Sequence, residues 1–243
     1  MAASTLDEKL RHAKHTFAQP DAYLKQFASI ELRVRAIQQL LGGWQPKHLL
    51  DIGCGDARIS LQYLNGSNAI TLVDYSQGML DRARERVPAE LLPNVTFVNE
   101  SLAGFQSSAT FDTVFAIGVL SHIPDLEDAL RRLHSLLAPG GRCVVQITDD
   151  AALGAQFHAK LKQIRNFLMR RESLEVRLIT ATELKATARS IGFQFLDSKS
   201  YWVPLPGMGA LPPALVNRAM LALNEQQLLS ATGPEKLLLF TRR

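Results

Sequence analysis

The chain has 243 residues, 47% of them hydrophobic and 21% charged, a balance that builds an ordinary globular core and predicts one α/β domain with a cap. A formal charge of +4 does not by itself mark a nucleic-acid binder, and no apolar run reaches the ~18 residues of a membrane span. The opening MAASTLDEKLRHAKH has no apolar signal core, Cys54 and Cys143 read as small core residues, and no zinc-ligand spacing occurs, so a cytoplasmic chain without disulfide or metal is expected.

Residues 1–41 read as helical, with Tyr23 and Phe27 near the start of the longer helix. From Lys47 onward strand and helix patterns alternate, which predicts a parallel sheet covered on both faces. Strands are expected near 48–52, 69–74, 95–99, 111–117 and 141–148, then near 193–202 and 235–242. The stretch DARISLQYL is expected to open a helix after the first strand. A second helix is expected after Thr180, with that threonine as its N-cap and Gly192 at its end. Residues 151–179 and 203–232 fall outside this core pattern and are candidate lid segments. The first holds HAKLKQIRNFLMRR, a basic amphipathic helix by spacing, which reads as a solvated face or as a contact for an anionic acceptor or membrane surface.

The chemistry concentrates in LLDIGCGDARIS, Leu49 to Ser60. Buried-strand residues run into Gly53, Cys54 and Gly55, a turn whose missing Cβ atoms let a ligand approach the backbone. Asp74, at the end of the next strand, can accept bonds from two ribose hydroxyls. A dinucleotide fingerprint would need a third glycine where Arg58 stands, and a P-loop would need Gly-Lys-Ser/Thr, which is absent. A nucleoside cofactor without phosphate fits best.

These residues resemble the first motif of the class I S-adenosylmethionine (SAM) methyltransferases. ITLVDYSQGML, VTFVNESLAGF, FDTVFAIGVLSHIPD and LRRLHSLLAPGGRCVVQITDD are similar to that family's later motifs in order and spacing. The likeness is to its small-molecule members, ubiquinone-type O-methyltransferases among them. It implies an α/β, Rossmann-like, seven-stranded, mostly parallel sheet with helices on both faces, the last strand antiparallel, plus helical lid segments. The whole of 1–243 would be a single such domain. It implies SAM as cofactor and S-adenosylhomocysteine (SAH) as product.

By the same resemblance, Gly53, Cys54 and Gly55 pass the methionine half and Asp74 holds the ribose. Tyr75 lies against adenine; Met79 does so or simply packs in the core. Ser101 stands where the family often has Asp, and would bond the adenine amino group. Leu102 would meet the adenine edge and Ile117 the methionine half. Asp51 fixes the turn and supports the ammonium from behind. Arg33, at the offset of a carboxylate-binding arginine in the ubiquinone-type enzymes, pairs with the cofactor carboxylate or is a surface residue. His122, in LSHIPD after the fourth strand, is the candidate general base, or orders its loop.

The loop IGVLSHIPD lacks the Asn/Asp-Pro-Pro-aromatic signature of amino-group nucleic-acid methyltransferases. No cysteine is placed for ring-carbon attack, and the paired-glutamate loop of the protein-arginine enzymes is absent. The acceptor is therefore expected to be a small molecule, a lipid or a lipid-linked glycan, with oxygen favoured over nitrogen and no nucleic acid. Peripheral membrane contact stays open and the oligomeric state is unread. Two rival functions stand beside this: a non-catalytic SAM-binding partner protein, and an aminopropyltransferase-like enzyme.

Overall fold

A computed structural model describes residues 27–149, 179–202, 212, 215–216, 218–220, 222 and 233–243. Of the expected segments 1–41, 151–179 and 203–232, residues 1–26, 151–178 and most of 203–232 lie outside the described residues, and with them the basic amphipathic helix and the lid reading.

The strands are β1 (His48–Ile52), β2 (Ala69–Asp74), β3 (Val95–Asn99), β4 (Phe111–Ala116), β5 (Leu137–Thr148), β6 (Phe193–Trp202) and β7 (Glu235–Arg242). They form one sheet in the order β3-β2-β1-β4-β5-β7-β6. β1 to β5 pair in parallel, while β7 runs antiparallel between β5 and β6. Leu49 and Leu50 of β1 are both fully buried although they point to opposite faces. That is the mark of a parallel strand covered on both sides, and it is why adjacent rather than alternate positions of β1 are apolar.

The helices supply the cover. α1 (Phe27–Leu41) and α2 (Gln77–Arg86) lie on one face, where Leu32, Ile37, Leu80 and Ala83 join one core cluster. α3 (Leu126–Leu136) and α4 (Ala181–Ile191) lie on the other, through Leu130, Leu133, Leu184 and Ala188. Asp125 caps α3 by accepting from the Asp128 N–H. Thr180 caps α4 by accepting from the Glu183 N–H, and Gly192, at φ +116°, ends it in the left-handed conformation. Beyond β6, Val216 and Met220 are buried in the α1-side cluster.

Two expectations are corrected. DARISLQYL does not open an α-helix: it makes only a 3-10 turn, Ser60–Tyr63. Ala57 takes a left-handed φ of +56°, which interrupts helical propagation just after the glycine turn. Asn65 and Asn68 then compete for the backbone. Asn68 Nδ2 donates to the carbonyls of Tyr63 and Pro46, and its Oδ1 accepts from the Asn65 N–H. The fifth strand begins at Leu137 rather than 141. Between the pairs Phe111–Leu137 and Thr113–Arg142, β4 advances two residues while β5 advances five. The Pro-Gly-Gly sequence is thus an irregularity within β5, with Gly140 at φ +73°.

Candidate cofactor and acceptor site

The carboxyl ends of parallel strands gather the predicted residues at one edge of the sheet, the edge at which open α/β sheets take ligands. β1 runs out through Asp51 into the turn. Gly53 and Cys54 donate backbone N–H bonds to the Val73 carbonyl at 2.7 and 3.1 Å, stitching the turn to β2. Gly53 (φ +68°) and Gly55 (φ +54°) both need the left-handed region. A Cβ on Gly53 would also lie 2.4 Å from Cγ2 of Val119, in the loop after β4. A Cβ on Gly55 would meet nothing within 4 Å, so space stays open beside the turn.

Asp74 closes the arrangement. Its Oδ2 accepts from the Gly55 N–H at 2.9 Å and its Oδ1 from the Ser76 N–H at 2.8 Å. Each oxygen keeps a second lone pair for a ribose hydroxyl. The residue is 7% exposed; burial raises its pKa, and the two backbone donors act against that rise. Asp51, behind the turn, is 3% exposed. Burial pushes its carboxyl up to about 7, with Asp74 adding to the rise and a Ser60 bond opposing it. Cys54 is unpaired by any disulfide, and burial with three neighbouring carboxylates raises its thiol well above the ordinary value. It is no thiolate nucleophile.

Around this centre the other predicted residues stand as follows. Tyr75 directly follows Asp74, its phenol pushed up to about 12 by burial and by Asp74. Met79, Leu102 and Ile117 are buried. Met79 lies on α2, Leu102 in the turn after β3 beside Phe105, and Ile117 at the end of β4. Ser101 is less available than expected. Its N–H bonds Glu100 Oε1 at 2.8 Å, and its hydroxyl accepts from the Gly104 N–H at 3.2 Å.

His122 ends a 3-10 turn after β4, with its backbone N–H bonded to Val119. Its side chain keeps an exposed edge, yet surrounding protein displaces enough water to lower the imidazole pKa from its ordinary 6.5. The neutral form, the one able to take a proton, therefore prevails near neutrality. Arg33, on α1, donates from Nε to the Tyr201 hydroxyl at 3.2 Å, on β6, four strands from β1 in the sheet order.

Three contributors were missed in the sequence. Val119 fills the space a Gly53 side chain would take. Asn99 Nδ2 bonds the Asp74 carbonyl at 3.0 Å. Glu100, one place before Ser101, is the acid that the third strand's end carries. A polar residue directly after that strand was the available signal for the last.

Residues 50–143 match the family described as "Methyltransferase domain". Over this stretch the chain is similar to the class I SAM-dependent methyltransferases. It is 30% identical over 172 residues to a trans-aconitate 2-methyltransferase of Rhodopseudomonas palustris, covering 67% of this chain and 61% of that protein. It is 25% identical over 173 residues to a ubiquinone biosynthesis O-methyltransferase of Coxiella burnetii, covering 68% and 71%. The match to a trans-aconitate 2-methyltransferase of Rhizobium leguminosarum spans 44% of that protein, so in these first relatives the chain accounts for less than two thirds of the length.

Solved structures share the fold. A SAM-dependent methyltransferase of Thermotoga maritima, described as a possible histamine N-methyltransferase, superposes with a TM-score of 0.63 at 17% identity, covering 93% of this chain and 97% of that one. The N-methyltransferase NodS of Bradyrhizobium japonicum, in complex with SAH, gives 0.60 at 13%, covering 98% and 97%. For a methyltransferase of this family the turn, the open side of Gly55 and the free lone pairs of Asp74 fit a SAM nucleoside. No group of three or more metal-binding side chains occurs among the described residues.

Proposed function

We propose that this chain transfers the methyl group of SAM to a small-molecule or lipid-linked acceptor, oxygen being favoured as the atom methylated, and that 1–243 acts as a single domain. The observation that carries the reading is the closure of the Gly55 N–H on Asp74 at 2.9 Å, which presents two acceptor oxygens beside an open glycine turn. Support for oxygen comes from the ubiquinone O-methyltransferase relative; the N-methylating structural neighbours share the fold alone.

SAM brings an already activated methyl group, so the chain's task is mainly to hold the donor and acceptor in line and exclude water. Asp74 would hold the ribose, the glycine turn would hold the methionine half, and Asp51 would support its ammonium from behind the turn. His122, neutral at working pH, takes the proton of a hydroxyl acceptor. Arg33 is the candidate partner for the cofactor carboxylate, and its Nε also bonds the Tyr201 hydroxyl.

Calorimetry tests the reading. SAH is expected to bind and NAD not to bind. Asp74→Ala is expected to weaken SAH by roughly 1–3 kcal/mol, the scale of a lost charge-assisted hydrogen bond. Unchanged affinity in that variant removes the ribose assignment, and absence of SAH binding in the native chain removes the function.

A further inference from the structure

Four side chains outside the predicted cofactor-binding set meet at the same sheet edge, on the α1 face. Glu235, the first residue of β7, accepts three hydrogen bonds. Its Oε2 takes Gln146 Nε2 at 3.0 Å and the Tyr201 hydroxyl at 3.3 Å, and its Oε1 takes the Thr148 hydroxyl at 2.9 Å. All three donors are neutral. Among the described residues no cation pairs with this carboxylate. Lys236, next in sequence, is held by Asp149 at 2.6 Å, and Arg33 reaches Glu235 only through Tyr201. Glu235 is partly exposed, so a ligand can reach it.

Gln146 shows the complementary deficit. It is 8% exposed, its amide nitrogen is committed to Glu235, and its Oε1 is buried with no donor. A half-buried anion without a cation and a buried amide oxygen without a donor lack the same thing, a positive group carrying N–H bonds.

The location suits an acceptor. Strand pairing sets Ile52 beside Ala116, and Ala116 beside Val145. Gly53 and Ile117, the first residues past β1 and β4, therefore follow strand ends level with Val145, next to Gln146 on β5. Two strand spacings, about 10 Å, separate Gln146 from the glycine turn. Glu235, opposite Thr148, is one strand further along. A cofactor held at the turn would have this cluster two to three strands away along the same sheet edge.

We propose that Glu235 and Gln146 recognise the acceptor, and that the acceptor carries a protonated amine whose N–H groups bond the Glu235 carboxylate and Gln146 Oε1. The inference rests on the methyltransferase reading and names its substrate class. The amine is an anchoring group. Tyr201, aligned by Arg33, is a positioning residue that holds Glu235 in place. A polycarboxylate such as trans-aconitate would set like charges against Glu235 and is excluded from this position.

The test uses the full chain saturated with SAH, titrated by calorimetry with ethanolamine, putrescine and tyramine, and separately with trans-aconitate. At least one amine binds, trans-aconitate does not, and Glu235→Gln weakens the amine tenfold or more while SAH affinity stays within twofold. Should Glu235→Gln fail to fold, Gln146→Leu carries the same comparison, with a loss of at least fivefold. Binding of no amine, amine affinity indifferent to the variant, or binding of trans-aconitate overturns the inference. If the native chain does not bind SAH, the methyltransferase reading falls and this one with it; SAH binding without amine binding sinks this one alone.

Discussion

Replacing His122 by alanine is expected to lower turnover about 10²–10⁴-fold while SAH affinity stays nearly constant, the span ordinarily lost with a general base. The residue lies beyond the end of β4, past Ile117, on a turn whose backbone is held by Val119. Its lowered pKa fixes the form of the pH dependence. The base must be neutral to accept a proton, so the rate should rise with pH through the imidazole pKa and level off above it. Because that pKa lies below 6.5, the rising limb falls on the acid side of that value. His122→Ala should remove the limb as well as most of the rate. A variant with native turnover and an unchanged profile returns His122 to loop ordering.

The second large effect is expected from Asp51→Asn, and it depends on pH. The Asp51 carboxyl stands at about 7 in the folded chain against 3.8 ordinarily. The native state therefore binds the proton more tightly than the unfolded state, and stability falls as pH rises from about 4 to 7. A displacement of this size corresponds to at most about 4 kcal/mol at pH 8. Asparagine keeps an acceptor for Ser60 and carries no charge beside Asp74. It should stabilise the apo protein at pH 8 by roughly 1–3 kcal/mol and change little at pH 4, read by urea unfolding at both pH values. Native SAH affinity should tighten as pH rises through 7, because the ionised carboxylate supports the ligand's ammonium; the variant should show no such rise. Equal stability of the two proteins at pH 8 would refute a buried, strained Asp51.

Both effects concern residues that could be found from the sequence, and the reason is their spacing. The glycine turn, Asp51 and Asp74 lie within 24 residues, and each strand end announces itself by an apolar run meeting a polar residue. Local patterns of that kind also fixed the caps of α4, where Thr180 and Gly192 do what their chemistry favours. What stayed hidden depends on contacts between distant positions. The helix expected from DARISLQYL fails because Ala57 turns left-handed and asparagine side chains capture the following backbone. Its apolar spacing gave no sign of either. Glu235 was hidden because its partners stand at positions 146, 148 and 201, joined only when β7 slides between β5 and β6. Arg33 was noticed by its offset from Gly53, yet its visible bond is to Tyr201, 168 residues away.

The placement of β7 bears on the order in which the chain becomes competent. β1 and β2 are neighbours in sequence as well as in the sheet, so their turn can close early at small entropic cost. β7 pairs with β5 across some ninety residues, Cys143 with Phe240 for instance, and β6 joins the sheet only through β7. Long-range pairing of this kind is slow. A nascent chain is thus expected to close its glycine turn on β2 well before its C-terminal hairpin docks, and a ligand held at that turn would stabilise the half-built sheet in the interval. Refolding followed at β1 and at β7 should separate in time, and SAH should accelerate the later phase only if the early half already holds it.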